Sequence, residues 1–298
     1  MIAPAYTRGP RAGSPLLGRD RMNVIVKGAL AAGALIIIAA GLRVGLRENG
    51  TVASSTPSAG AEQQRTLTIA AASDLKFALD EVLVRFRAKH PGADIQVTYG
   101  SSGNFLAQIG NGAPFDVFLS ADVAYPRELA AQGLVAGEVF LYAVGRIVVW
   151  VPRDSPLSVE QRGMEALREP AARRIAIANP QHAPYGRAAE AALKSQGVYD
   201  TVKEKLVLGE NIAQTAQFVQ SGAADAGIIA LALALAPAMR EQGHAWVVPL
   251  DAYPRMEQGG AILKRAKDEA LAREFRDHLL GPEGTAVLDR YGFSLPKE

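Results

Sequence analysis

From residue 65 onward the chain alternates between two hydrophobic periods. Thr66 to Ala70 reads Thr-Leu-Thr-Ile-Ala, a period of two that predicts a strand with one face in a core. After Ala71-Ala72-Ser73-Asp74, the residues Leu75, Leu79, Val82, Leu83 and Phe86 recur at helical spacing and stop before Pro91-Gly92. The unit is a strand, a tight turn and a helix. Ile95, Val97 and Tyr99 alternate again, and Gly100-Ser101-Ser102-Gly103 leads into a helix over Asn104 to Ile109. Asp116 to Ser120 reads as a short buried strand, Tyr125 to Gln132 as a helix ended by Gly133, and Arg146 to Val151 as a β-branched strand closed by Pro152. A strand over Arg174 to Ala178, helices over Arg187 to Gln196 and Ala213 to Gln220, and a strand over Asp225 to Leu231 continue the series. The remainder predicts a helix from Ala232 to Gln242 interrupted by Pro237, strands at Ala245 to Val248 and Gly260 to Leu263, and helices at Lys267 to Leu280 and Pro282 to Tyr291.

Repeated strand–helix units predict an α/β fold of mostly parallel sheets flanked by helices, with ligands bound outside the carboxyl ends of the strands. The 234 residues from 65 to 298 suit two small lobes with a ligand held in the cleft between them.

Residues 1–64 follow neither period. An apolar run of 15 residues, Gly28 to Leu42, follows a basic leader and precedes a polar stretch rich in Ser, Thr, Pro and Gly. The run falls short of the roughly 20 residues a membrane span needs, and the order of the three parts is that of a secretory signal. Ala59-Gly60-Ala61 offers a cleavage site, an uncleaved signal anchor is the alternative, and Met22 is a second possible start. The chain has no cysteine, which excludes a lipid anchor, disulfides, cysteine nucleophiles and Cys-ligated metals.

The whole chain carries 32 Lys+Arg and 30 Asp+Glu, a net charge of +2. Seven of the basic and three of the acidic residues lie in residues 1–64, which leaves 25 and 27, a net charge of −2, in residues 65–298. The basic excess belongs to the leader. Without it, nucleic-acid binding loses its electrostatic footprint.

Four strand-end loops carry the candidate chemistry. Ser73 and Ser102 each follow a strand and precede a helix, where a hydroxyl and free N–H groups point the same way and favour an anion. Serine is also a preferred helix cap, and a single one most often does no more than that. Asn179-Pro180-Gln181-His182-Ala183-Pro184-Tyr185-Gly186 and Gly209-Glu210-Asn211-Ile212 likewise precede helices. The central positions of all four loops lack Arg and Lys, so an anion there is met by dipoles and hydroxyls. No P-loop, G-x-S-x-G, H-E-x-x-H or G-x-G-x-x-G is present. A serine hydrolase using Ser102 with His182 is the enzymatic alternative, and Asp74 and Asp116 are conceivable metal ligands whose plainer role is to stabilise structure.

On these loops the chain resembles the periplasmic molybdate-binding proteins of bacterial ABC importers. The matching segments are Ala70 to Leu79 (AAASDLKFAL), Gly100 to Gln108 (GSSGNFLAQ), Gly110 to Asp122 (GNGAPFDVFLSAD), Ala178 to Gly186 (ANPQHAPYG), Glu210 to Ile212, and Gly281 to Phe293 (GPEGTAVLDRYGF). The resemblance implies a two-lobed type II periplasmic binding-protein fold with chain crossings near Gly145 and Pro254. Residues 65–144 and 253–298 then form lobe one and residues 145–252 lobe two. It implies a non-enzymatic, monomeric receptor in the periplasm that needs no cofactor. The receptor delivers molybdate or tungstate to an inner-membrane permease, and sulfate, thiosulfate or an organic anion is the alternative ligand. Ser73 and Ser102 match the family's hydroxyl donors, and Tyr185 and Ile212 its backbone donors. These four residues reach the metal only through hydrogen bonds to its oxygens, and such a donor-only site suits a fully deprotonated anion. Ala230 stands where several members place a tyrosine, so that hydroxyl is absent, and the Tyr185 hydroxyl is a candidate substitute.

Overall fold

The structure, a computed structural model, describes residues 65–296. The export leader, its cleavage site and the alternative start lie outside the described residues. Ten strands build two five-stranded sheets. The first contains β1 (Thr66–Ala72), β2 (Asp94–Gly100), β3 (Val117–Ser120), β4 (Phe140–Gly145) and β10 (Met256–Ile262), in the order β2-β1-β3-β10-β4. The second contains β5 (Ile147–Pro152), β6 (Ile175–Ala178), β7 (Leu206–Gly209), β8 (Ala226–Ala230) and β9 (Gly243–Val247), in the order β7-β6-β8-β5-β9. The chain passes from the first sheet to the second between Gly145 and Ile147, and returns between Val247 and Met256.

Both sheets are mixed, where the sequence predicted mostly parallel ones. β1 pairs in parallel with β2 and β3, but β10 pairs antiparallel with both β3 and β4. In the second sheet β6 pairs in parallel with β7 and β8, and β5 runs antiparallel to β8 and β9. The cause is the crossing: each strand that has just arrived from the other lobe enters its sheet against the direction of its neighbours.

Register decides where the loops emerge. Ala72 lies opposite Gly100 and Ala71 opposite Leu119, so the turns after β1, β2 and β3 leave the first sheet at one edge. Ala178 lies opposite Gly209, which does the same for the turns after β6 and β7. The helices that follow begin earlier than their hydrophobic stripes suggested, at Ser102, Pro184 and Ile212. Ser102, Tyr185 and Ile212 therefore sit in first turns and not in loops. Pro184 explains one of these starts, because its fixed φ suits the first helical position and its missing N–H costs nothing there.

The strands β4 and β7 and the split of the Ala232 to Gln242 segment depart from the sequence pattern. Pro237 opens a second short helix, Pro237–Arg240, after Leu231–Ala234. Each lobe has its own core: Leu67, Ile69, Leu79, Phe86 and Phe275 in the first, and Val148, Trp150, Ile177, Leu193 and Ile228 in the second. Among the described residues no helix is long and apolar enough to cross a membrane.

Candidate functional site

Ser73, Ser102, Tyr185 and Ile212 line one small cavity of about 10 Å³ between the lobes, together with Asp74, Ser101 and the backbone around Ala121 and Ala183. All four are buried. Ser102 opens the Ser102–Gly110 helix and Tyr185 lies in the first turn of Pro184–Ser195; neither helix has a side-chain cap or an acidic residue in its first turn. Among the described residues, the N–H groups of Ser102, Tyr185 and Ile212 have no protein acceptor. Unpaired amides at three helix starts, facing one cavity, are donors for an anion.

The two serine hydroxyls differ. Ser102 Oγ accepts the Ala121 N–H at 3.0 Å, which leaves its own proton free for a ligand. Ser73 Oγ is engaged across the cleft: it donates to Asn211 Oδ1 at 3.1 Å and accepts the Ala213 N–H at 3.2 Å. Asn211 is the cap of the Ile212–Gln220 helix and also accepts the Gln214 N–H at 3.0 Å. The Asn-x-x-Gln spacing is a capping signal legible in the sequence. The reach of Ser73 to it is not, since 138 residues separate them.

The Tyr185 hydroxyl does not substitute for the tyrosine missing at Ala230. It donates to Asp74 Oδ2 at 2.9 Å, and Gln258 Nε2 donates to the same oxygen at 2.7 Å and to the Tyr185 hydroxyl at 3.0 Å. Ala230 ends β8 and does not line the cavity. Burial pushes the Asp74 carboxyl up to about 6, against the lowering effect of Gln258 and Tyr185. Burial, followed by the charge of Asp74, raises the Tyr185 and Tyr142 hydroxyls well above their ordinary value. Both tyrosines stay neutral donors. Asp74 Oδ1 has no hydrogen-bond partner, so the cavity wall holds one carboxylate among its donors and is not the donor-only surface that the loops alone suggested.

His182 does not reach Ser102. Its Nδ1 lies 3.0 Å from Ser101 Oγ, and Ser101 Oγ donates to the His182 carbonyl at 2.6 Å. The Gly103 N–H donates to the same carbonyl at 3.0 Å, and Asn104 Nδ2 donates to Glu210 Oε1 at 2.6 Å. These contacts close one rim of the cleft. Asp116 is spent on structure, accepting from the N–H and hydroxyl of Thr68 and the N–H of Lys267. Among the described residues no group of three or more His, Asp or Glu could hold a metal ion. A larger groove of about 210 Å³ lies beside the cavity, but its cations Arg187 and Arg255 are already paired with Asp122 and Glu257.

A family model for bacterial extracellular solute-binding proteins matches residues 67–294. The molybdate-binding protein ModA of Azotobacter vinelandii is 38% identical over 236 residues, 79% of this chain and 92% of that protein. The molybdate-binding protein ModA of Rhodobacter capsulatus is 37% identical over 203 residues, 68% of this chain and 78% of that protein. Among solved structures, the periplasmic molybdate-binding protein of Azotobacter vinelandii matches with a TM-score of 0.72 at 35% identity, covering 78% of this chain and all of that one. The sulfate-binding protein SubI of Mycobacterium tuberculosis H37Rv shares the fold, with a TM-score of 0.63 at 16% identity over 78% of this chain and 87% of that one.

Proposed function

From the premise that the chain belongs to the bacterial extracellular solute-binding proteins, we propose that it captures molybdate or tungstate outside the cytoplasm and hands it to an ABC importer permease. The observation that carries this reading is the convergence of the Ser102 hydroxyl and three unpaired helix-start amides on one buried cavity between two lobes. The Azotobacter vinelandii and Rhodobacter capsulatus relatives are named for molybdate binding, which supports the first of the two cargoes.

The mechanism is binding followed by closure. A tetrahedral dianion enters the open cleft, gives up water, and receives hydrogen bonds from Ser102 Oγ and from the N–H groups of Ser102, Tyr185 and Ile212. Ser73 joins by turning its hydroxyl from Asn211 to the anion. Each charge-assisted bond contributes about 1.5 to 3 kcal/mol, so a handful outweighs the cost of bringing the lobes together. Sulfate presents the same charge and shape, and cavity size has to separate it from the larger metal oxyanions. The leader exports the protein, either cleaved after Ala61 or kept as a tether.

A thermal-shift panel of molybdate, tungstate, sulfate and thiosulfate tests the reading. A ligand present at about 100 times its Kd adds roughly 2.7 kcal/mol of stability. Molybdate and tungstate are expected to raise the melting temperature while sulfate leaves it unchanged. A shift with sulfate alone would move the ligand assignment to the sulfate receptors, and no shift with any of the four would remove it.

A further inference from the structure

Arg187 lies two residues past Tyr185 on the same helix and reaches over the cleft to the other lobe. Its Nη2 donates to Asp122 Oδ2 at 2.7 Å and its Nη1 to the Tyr125 hydroxyl at 2.7 Å. The guanidinium carbon also stands 5.4 Å from the centre of the Tyr125 ring. Asp122 is held on its own side: Oδ1 accepts the Ala124 N–H at 2.9 Å, and its N–H donates to Ser120 Oγ at 3.1 Å. The residue before it, Ala121, gives the N–H that orients the Ser102 hydroxyl. Both ends of this contact are therefore within two residues of groups that line the anion cavity.

We infer that Arg187 is a reversible clamp across the cleft, a positioning residue that sets how long the anion stays bound. The inference rests on the receptor reading for its ligand. The chemistry suits a reversible clamp. A planar guanidinium can satisfy a carboxylate and a hydroxyl at once, which an ammonium cannot do in the same geometry. The pair is neither sealed nor loose, with side-chain exposures of 41% for Arg187 and 32% for Asp122. A sealed pair would pay a large desolvation cost and resist reopening, while a fully exposed one would add little. The groove of about 210 Å³ alongside lets water take over the guanidinium when the lobes part.

The test uses Arg187→Gln, Asp122→Asn, the double variant and Arg187→Lys, with molybdate as the probe in stopped-flow measurements. Arg187→Gln is expected to raise the dissociation rate roughly threefold to tenfold, with the association rate almost unchanged. Asp122→Asn should act in the same direction, the double variant should be no worse than Arg187→Gln alone, and Arg187→Lys should recover part of the loss. The chain has no native cysteine, so spin labels at Asn111→Cys and Gln196→Cys, both exposed and one on each lobe, read closure without ligand. Without molybdate, Arg187→Gln should shift the label distances towards an open form. Unchanged dissociation and unchanged distances overturn the clamp, as does strict additivity in the double variant. If the wild type binds no molybdate the receptor reading falls, and the ligand-free distances still decide the clamp.

Discussion

A close approach between the lobes depends on a glycine that does not line the cavity. Gly103 lies in the first turn of the Ser102–Gly110 helix, and a Cβ there would stand 2.5 Å from the His182 carbonyl oxygen, 3.0 Å from its Cα and 3.1 Å from its carbonyl carbon. All three atoms are backbone of the opposite lobe, so no side chain can turn aside. Ordinary contact begins near 3.4 Å, which obliges the lobes to part by about 0.9 Å at this point. Two hydrogen bonds to the His182 carbonyl are lost or stretched, from the Gly103 N–H at 3.0 Å and from Ser101 Oγ at 2.6 Å. At about 0.5 to 1.5 kcal/mol each, and about 1.4 kcal/mol per factor of ten, Gly103→Ala should weaken anion binding roughly fivefold to 150-fold. Stopped-flow kinetics should place most of the loss in dissociation, with the melting temperature of the ligand-free protein little changed. Gly92→Ala is the matched control, since a Cβ there meets nothing within 4 Å. A Gly103→Ala protein with wild-type affinity would refute the link between this close approach and binding.

Four further substitutions separate the roles of the cavity residues. Ser102→Ala should weaken molybdate binding by roughly tenfold or more in calorimetry, and Ser73→Ala by less, because Ser73 must first leave Asn211. The reverse ranking would mean that the Ser102 hydroxyl is not the free donor. Tyr185→Phe removes two hydrogen bonds between the lobes, one to Asp74 and one from Gln258, and by the same arithmetic should weaken affinity roughly fivefold to 150-fold, mostly through faster dissociation in stopped-flow kinetics; wild-type affinity would refute the role of these bonds in closure. Asp74 adds a pH-dependent contribution to stability. Its carboxyl rises from an ordinary 3.8 to about 6 on folding, so the folded protein holds this proton more tightly. Its contribution to stability is fully present below pH 3.8 and falls away as pH rises through 6, by about 3 kcal/mol at 1.36 kcal/mol per unit. Asp74→Asn should therefore be more stable than wild type above pH 7 in chemical denaturation and lose that advantage near pH 4. Parallel stability profiles for the two proteins would disprove the assignment.

The strand–helix units were legible where a strand alternates, as over Thr66 to Ala70, or is a β-branched run closed by a turn residue, as over Arg146 to Val151, and where a helix shows a three- or four-residue stripe, as from Leu75 to Phe86. β4 escaped because Phe140–Gly145 is an apolar run with a single β-branched residue, Val144, and only Arg146 separates it from β5, so no loop sequence marks its end. β7 escaped because Leu206–Gly209 lies at a sheet edge and is partly exposed, unlike the equally short but fully buried β3 and β6. Ser73, Ser102, Tyr185 and Ile212 could be chosen in advance because parallel strands deliver their following turns to one edge, and because the loop motifs resemble a known family. The partners of these residues could not be chosen. Asp74 and Gln258 are 184 residues apart, and Asp122 and Arg187 are 65 apart on different lobes. The first pair exists only once β10 returns to the sheet that holds β1, and the second only once the two lobes meet; no local pattern of polarity encodes either.

The most direct test of the receptor account is calorimetric titration of molybdate into the purified protein at neutral pH, with sulfate as the comparison. The account predicts one molybdate per chain with micromolar or tighter affinity, a similar result for tungstate, and no heat with sulfate. Saturable binding of sulfate with no response to molybdate or tungstate would contradict it.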